Sequence, residues 1–251
     1  MSILAEVEFP PIENVVEWPN IIDSISFNKI ALICAIAFLI PVLLFVFSKK
    51  EMIPGKLQAF IEAIVDFVEE QIAKPGIGQG YEKYVPLLTA FFMFIAIGNL
   101  FEVIPFFQMP MNARMGPPLV LALVAWGMFI AVGVRHHGAG YVKEVMFPPG
   151  VPKALYLLVT PIEILSTWFV RPFSHAVRLF ANMLAGHILL ITFGVLAIAT
   201  AGGTLIYLPW IGSFAGLTIF TAFEVGVSFI QAFVFAILAA VYIGGALHPS
   251  H

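Results

Sequence analysis

The chain has 251 residues, of which 61% are hydrophobic and 11% are charged. Such an apolar composition excludes an ordinary soluble domain and indicates a protein that crosses a membrane several times. The net charge of −3 and the dispersed basic residues exclude a nucleic-acid-binding surface. The one cysteine, Cys34, lies in an apolar run and cannot form a disulfide within the chain.

The chain begins with an acidic segment that contains several prolines, residues 1–28, which we expect to lie outside the membrane. It has no lysine or arginine up to Ser26, so it lacks the basic start of a signal peptide. The apolar run that follows predicts a first crossing over residues 29–48. Lys49 and Lys50 come directly after it, and positive charges of this kind mark a cytoplasmic end.

The next segment, residues 56–74, has a different pattern. Its apolar residues recur at helical spacing, and the other face carries acidic residues, namely Glu62, Asp66, Glu69 and Glu70. The pattern predicts an amphipathic helix that lies along the membrane or against a partner instead of crossing. Because interfacial helices that bind lipid tend to be basic on their polar face, the acidic face favours a protein partner or water.

Four further apolar runs follow. Two of them predict crossings of ordinary length, over residues 84–104 and 118–135. The other two, residues 155–200 and 204–247, are much longer. A single helix over Tyr156–Thr200 would be about 65 Å long against a hydrocarbon core of about 30 Å. Such a helix must be strongly tilted or divided into two crossings.

The basic residues of the loops fall mainly on one side of the predicted crossings. On that side are Lys49, Lys50, Lys56, Lys74, Lys83, Arg135, Lys143 and Lys153, and on the other are Lys29 and Arg114. Since cytoplasmic loops carry the excess of lysine and arginine, this asymmetry predicts an external N-terminus. It places the C-terminal residues 248–251 in the cytoplasm.

Polar residues interrupt the first long run. A guanidinium at the bilayer centre costs roughly 2.5–3.5 kcal/mol on insertion scales, so an arginine there indicates a functional site. At 100° per residue, several polar residues fall on the face of Arg178. They are Glu163, Arg171, Ser174, His175 and Asn182. His187 points to the opposite side, and its expected partner lies in the last run, where Glu224, Ser228 and Gln231 share a face.

Two motifs carry a resemblance to a known family. The first is Arg178-Leu-Phe-Ala-Asn182-Met-Leu-Ala-Gly186-His187, and the second is Glu224 followed seven residues later by Gln231-Ala-Phe-Val-Phe. With these motifs the chain resembles subunit a of the F-type ATP synthase, from about Phe27 to the C-terminus. The resemblance implies one all-α membrane domain over residues 1–251, with five transmembrane helices and one amphipathic interfacial helix. The last two helices would form a long, steeply tilted hairpin facing a ring of c subunits.

The resemblance also implies a function, a proton-channel stator with two offset half-channels that protonate and deprotonate the carboxylates of the c-ring. The residues implied in proton translocation are Arg178, His187, Glu224, Asn182, Gln231, Glu163, Ser174 and His175. In this assignment Arg178 separates the half-channels and Glu163 belongs to the inner one. The implied partners are the c-ring, the b subunits of the peripheral stalk, the remaining ATP synthase subunits and lipid. No cofactor, metal or catalytic residue is implied.

One position departs from the family pattern. The family often has an acidic residue in the loop before the third crossing, where this chain has Arg114. Either Glu102, which shares a face with Asn99, supplies the external acid, or the outer mouth is built differently. The lack of a transit peptide favours a bacterial plasma membrane, and an organelle inner membrane is the alternative.

Alternatives remain open for the polar residues. Arg178 could instead pair with Glu163 or Glu224 as a structural pin, and His187 with Glu224 could form a structural hydrogen bond. His175 is equally well explained as a packing histidine. At the level of the whole chain, the alternatives are a self-contained secondary transporter and an intramembrane scaffold. ATP binding by this chain is not expected, because it has no Walker-type glycine loop.

Overall fold

The computed structural model describes residues 28–48, 55–104, 107–138, 140–141, 146–147, 155–200 and 207–247, with side chains of the last stretch from residue 210 onward. Within these residues the chain is helical and has no β-strand, which confirms the all-α prediction. Several predictions fall outside the described residues. They concern the N-terminal segment up to residue 27, the lysines at 49, 50, 143 and 153, the turn 201–204 and the C-terminal tail.

Eight α-helices lie in the described part of the chain. They are α1 (Lys29–Phe47), α2 (Lys56–Val68), α3 (Lys74–Ile77), α4 (Val85–Leu100), α5 (Gly116–His137), α6 (Tyr156–Leu165), α7 (Arg171–Thr200) and α8 (Tyr207–Leu247). Two π-helical segments join neighbours without a break, Glu69–Ala73 between α2 and α3 and Ser166–Val170 between α6 and α7.

Four helices in the described residues are long and apolar enough to cross a membrane. They are Lys29–Phe47, Gly116–His137, Tyr156–Thr200 and Trp210–Leu247. The helix α4 is apolar but has 16 residues, fewer than the ~20 that a perpendicular crossing requires. The chain is thus a multi-pass membrane protein with four long candidate spans and one shorter apolar helix.

The first helix packs on the rest of the protein along a narrow stripe. Its start is capped by Asn28, whose side-chain oxygen accepts a hydrogen bond from the Ala31 amide (3.0 Å). Ile33 and Ala37 are fully buried in the contact with α4, while Phe38 and Val46 are exposed. Because the exposed residues are large and apolar, this side of α1 is suited to lipid and not to water.

The amphipathic pattern of residues 56–74 appears in the burial of α2 and of the π-helical segment after it. Ile61, Val68 and Ile72 are buried, whereas Glu62 and Asp66 are exposed. At the end of the segment, the Lys74 ammonium pairs with the carboxylates of Glu69 (3.6 Å) and Glu70. The apolar residues therefore fix the helix to the protein and leave the acidic face open.

The last helix, α8, is the centre of the fold and contacts α3, α4, α5 and α7. The buried side of its C-terminal half consists largely of small residues, which include Ala232, Ala236, Ala239, Ala240 and Ala246. A Cβ added to Gly76 of α3 would lie 2.6 Å from the Ala240 Cβ, so the backbones approach as closely as glycine permits. This part of α8 is held by dry, close packing.

The π-helical segment Ser166–Val170 lies where α6 and α7 meet. It interrupts the run for which the angles of the polar residues were calculated at a regular 100° per residue. The Trp126 indole Nε1 of α5 donates a hydrogen bond to the Thr167 carbonyl oxygen (3.0 Å). The Trp126 and Trp168 rings lie 5.3 Å apart in an edge-on arrangement. Because a π turn changes the helical phase, the angle calculated for Glu163 relative to Arg178 at 100° per residue does not apply.

Candidate functional site

One side of α7 exposes polar groups. Arg178 and Asn182, four residues apart, are both exposed on the surface of the chain. Among the described residues, ion pairs involve Lys74 and His187, and none involves Arg178. The proposed pin between Arg178 and Glu163 or Glu224 is therefore not formed. The guanidinium is left available to a partner outside this chain.

The opposite side of α7 buries His187. The side chain of His187 is 4% exposed, and its Nδ1 lies 3.7 Å from Oε1 of Glu102, whose side chain is 1% exposed. Glu102 comes from the turn directly after α4, where its amide donates to the Asn99 carbonyl oxygen (3.0 Å). The predicted partner of His187 was an acid in the last helix, but the acid in contact with its ring is Glu102.

Glu224 of α8 joins the same cluster from a third direction. It is 3% exposed, and its carboxylate packs directly on Gly186, so that a Cβ at position 186 would overlap it. Gly186 is thus required by the approach of a carboxylate to the α7 backbone. The sequence motif included this glycine, but its contact was not predicted.

The cluster has polar atoms that lack a hydrogen-bond partner within the protein. In the described residues they include both carboxylate oxygens of Glu102, Oε2 of Glu224, Nε2 of His187 and Oγ of Ser228. Each unmade hydrogen bond in a dry interior costs about 1–3 kcal/mol, so atoms of this kind are normally satisfied by ordered water. The cluster is therefore polar and differs from the dry packing of the C-terminal half of α8.

Two buried amides lie at the C-terminal end of α4. The Asn112 Nδ2 donates to the Asn99 Oδ1 (2.7 Å), and both residues are fully buried. Asn99 was predicted at the possible outer mouth together with Glu102. Asn112 lies in the short 3₁₀ helix Met111–Ala113 and was not predicted, because a single asparagine in a loop carries no pattern.

Along α8, the side that carries Glu224 continues through Ser228 to Gln231. All three residues are buried, as their shared helix face leads one to expect. Gln231 lies two turns from Glu224, where the packing of α8 changes from polar to small apolar side chains. The structure thus brings Glu224, His187 and Glu102 together and places Gln231 at the boundary of the same buried side.

His175 does not share the exposed position of Arg178. It is buried against α8, with its ring centroid 4.4 Å from that of Phe235 and its Nε2 3.3 Å from the Phe235 carbonyl oxygen. Its neighbour on the same side, Tyr242, lies under the Arg171 guanidinium at 5.4 Å, a cation–π geometry. The expectation of one common polar face fails at His175 because that part of α7 is packed on α8.

The remaining predicted residues lie apart from the acid–histidine cluster. Ser174 is half-buried, and its hydroxyl donates to the Arg171 carbonyl oxygen (3.2 Å). Glu163 is half-buried on α6, before the π-helical segment. Within the described residues, no group of three or more His, Cys, Asp or Glu side chains could hold a metal ion.

These features define a class, a multi-pass helical membrane protein with buried ionisable residues at the contact of two long helices. A family model described as "ATP synthase A chain" matches residues 30–244. The ATP synthase subunit a of Frankia alni is 43% identical over 211 residues, which cover 82% of this chain and 72% of that protein. The subunit of Pseudarthrobacter chlorophenolicus is 35% identical over 247 residues, covering 95% and 93%. The subunit of Bradyrhizobium diazoefficiens is 38% identical over 232 residues, covering 91% of each chain.

The chain belongs to the ATP synthase subunit a family. The resemblance drawn from the two sequence motifs is confirmed.

Proposed function

We propose that this chain is the proton-channel stator subunit of an F-type ATP synthase. It would form two offset half-channels that protonate and deprotonate the carboxylates of a c-subunit ring, so that proton flow drives rotation. Family membership supports this proposal, and one structural observation carries it. A single helix, α7, exposes on one side an arginine that has no ion-pair partner among the described residues, and it buries an acid–histidine cluster on the other side.

The exposed side would face the rotor. The Arg178 guanidinium stays protonated at any accessible pH, and next to a c-subunit carboxylate it favours the ionised form of that acid. It also repels a proton moving directly between the two half-channels. The carboxylate must then release its proton on one side of the arginine and regain it on the other after the ring has turned. Asn182, exposed one turn away, would orient the same contact.

The buried side would form the outer half-channel. Glu102, His187 and Glu224 offer proton-accepting atoms from α4, α7 and α8, and several of these atoms have no protein partner. An imidazole ring has two nitrogens, one that can donate a proton and one that can accept a proton, so His187 can pass a proton from one neighbour to the next. Asn99 and Gln231 would fix the hydration of the path at its two ends. In this arrangement Glu102 supplies the external acid that position 114 lacks.

The inner half-channel would begin near Glu163 and pass Ser174. Both are half-buried, and both lie on the part of the long run that precedes Arg178 in the chain. His175 would hold α7 on α8 as a packing residue, as its contacts with Phe235 and Tyr242 indicate.

The proposed membrane arrangement has five crossings, with α4 as the shortest, and α2 along the membrane surface. The N-terminus would be external and the C-terminus cytoplasmic, in a bacterial plasma membrane. The partners would be the c-ring against the Arg178 side, the b subunits of the peripheral stalk and the rest of the complex. The chain itself would not make ATP. Each proton crossing supplies about 2.3 kcal/mol per 100 mV, so several are needed for one ATP.

The test is ATP-driven proton pumping by inverted membrane vesicles that carry Arg178→Ala. We expect pumping to vanish while the complex stays assembled and continues to hydrolyse ATP. The control is Arg171→Ala, which removes an arginine from the same helix but one that stacks on Tyr242. It should retain most of the pumping. Wild-type pumping by Arg178→Ala, or by Arg178→Lys, would reduce Arg178 to an interchangeable surface charge and overturn the proposal.

A further inference from the structure

The external loop between α4 and α5 folds back into the protein. Its residues Met109, Met111, Asn112 and Ala113 are fully buried, although no membrane helix carries them. The 3₁₀ helix Met111–Ala113 contacts α7 as well as α4. The backbone at Gln108, just before the buried part, has a φ of 43°, a conformation that residues other than glycine adopt rarely. The loop is therefore held in one defined position.

Two adjacent contacts attach this loop to the outer end of α4. A Cβ added to Gly98 would lie 2.8 Å from Sδ and Cε of Met111, so the methionine packs directly on the glycine backbone. The residues that follow Gly98 and Met111 make the polar contact. The Asn112 Nδ2 donates a hydrogen bond to the Asn99 Oδ1 at 2.7 Å. The pair of contacts places one dry, apolar side chain and one polar side chain at neighbouring positions of the same buried loop.

Only one donor and one acceptor of the Asn99–Asn112 amide pair are hydrogen-bonded. Asn99 keeps its Nδ2 and Asn112 its Oδ1 without a partner among the described residues, although both side chains are fully buried. A buried donor and a buried acceptor without partners are the groups that a bridging water satisfies, and leaving both unmade would cost about 1–3 kcal/mol each. Asn99 lies one helical turn before Glu102, which is in contact with His187. The free amide atoms therefore border the acid–histidine cluster.

We propose that Asn112 is a positioning residue of the outer proton path, a role that rests on the proposed function. Its amide orients Asn99 and, with Asn99, holds the water through which protons from outside reach Glu102 and His187. The outer entrance then consists of a folded loop placed on the end of α4, and not only of residues on membrane helices. Arg114, two residues beyond, lies at the half-buried edge of this loop and not within the amide pair.

Access of water to position 112 can be measured without reference to pumping. In the assembled complex with Cys34→Ala, we would compare Asn112→Cys with Met111→Cys, a neighbour that is equally buried but faces Gly98. A small charged methanethiosulfonate, which reacts with hydrated thiolate, is added outside right-side-out vesicles, and the modified peptide is quantified by mass spectrometry. We expect position 112 to react at least about tenfold faster, the ratio that corresponds to about 1.4 kcal/mol of easier access to water. Equal rates at the two positions would overturn the proposal.

The role in the path is tested by proton pumping. Asn112→Leu should lower ATP-driven pumping by about tenfold, as expected for one lost buried hydrogen-bond partner, while Asn112→Ser, which keeps a hydroxyl for water, restores most of it. Wild-type pumping by Asn112→Leu would overturn the proposal, and so would a loss that Asn112→Ser does not rescue. If Arg178→Ala leaves pumping intact, the proposed function fails on its own test, while the labelling ratio still decides whether water reaches Asn112.

Discussion

Polar residues are exposed on one side of α7 and buried on the other. Arg178 is exposed and has no ion-pair partner among the described residues, whereas His187 is buried and in contact with Glu102. His187 follows Arg178 by nine positions, which at 100° per residue points their side chains in opposite directions. The backbone of the helix therefore stands between the two polar environments. Under the proposed function, one helix would contact the rotor on one side and line the outer proton path on the other, with its own backbone between them.

The largest effect should come from closing the space on the buried side. Gly186→Ala adds a methyl group where the Glu224 carboxylate now packs. Overpacking of this kind costs about 1–3 kcal/mol and would displace the carboxylate from its present position against the α7 backbone. We expect ATP-driven pumping by inverted vesicles to fall by about tenfold or more, with the complex assembled.

The matched control is Gly194→Ala, two turns further along α7. A Cβ at position 194 would have no heavy atom within 4 Å. The change should leave pumping as it is, and the better helix propensity of alanine should if anything stabilise the helix. Equal losses from both variants would show that replacing any glycine of α7 by alanine lowers pumping, and that the Glu224 contact has no special role.

The second effect concerns the acid that contacts His187. Glu102→Gln keeps the shape of the side chain but removes its negative charge and its proton-accepting carboxylate. We expect pumping to fall by about tenfold, which is about 1.4 kcal/mol in the barrier, because the glutamine amide cannot accept and release a proton as the carboxylate does. Glu102→Asp should recover part of the rate. The control is Glu70→Gln, an exposed acid of the π-helical segment that follows α2. Pumping by Glu102→Gln at the rate of this control would assign the proton relay to Glu224 alone.

A smaller effect is expected away from both polar sides, at the π-helical segment. Trp126→Phe keeps an aromatic ring but removes the indole donor to the Thr167 carbonyl oxygen. Loss of one such hydrogen bond costs about 1 kcal/mol, so thermal unfolding of the purified complex should begin slightly earlier while pumping is unchanged. Trp210→Phe is the control, since Trp210 stacks on Phe214 and has no indole hydrogen bond among the described residues. Identical unfolding of the two variants would contradict a role for the Trp126 hydrogen bond.

The smallest effect should follow from Lys74→Gln on the water-exposed surface. The hydrogen bond to Glu70 raises the pKa of Lys74, so any stabilisation is present below the ordinary lysine pKa and lost as the pH rises through the raised value. Exposed pairs contribute little, and the variant should pump normally and unfold almost as the wild type does at pH 7. A clear loss of pumping at neutral pH would show that the acidic face of α2 is part of the working machine.

The sequence was informative about features that depend on one helix at a time. Hydropathy predicted the all-helical membrane fold, and helical spacing predicted that Glu224, Ser228 and Gln231 share a buried side. It also predicted that Arg178 and His187 point apart. These features follow from the geometry of a regular helix, which the sequence specifies locally.

What the sequence could not provide depends on contacts between helices. Glu102 and His187 lie 85 positions apart in the chain, and no periodicity indicates which acid will approach which histidine. Asn112 lies in a loop whose return into the protein is decided by the fit of Met111 on Gly98. His175 was on the polar face by angle, but the packing of α7 on α8 buried it. The π-helical segments have no sequence signal of their own.

The π-helical segment Ser166–Val170 has a consequence for how the two ends of the long run can vary. A π turn holds one residue more than the α-helical turn it replaces, and one residue corresponds to about 100° of rotation. Loss of a single residue from this segment would turn α6, with Glu163, about the common axis while α7 stayed packed on α8. The number of residues in this segment thus sets the rotation of α6 relative to α7 about their common axis. It lets the proposed inner entrance be re-aimed by insertion or deletion without altering the direction in which Arg178 points.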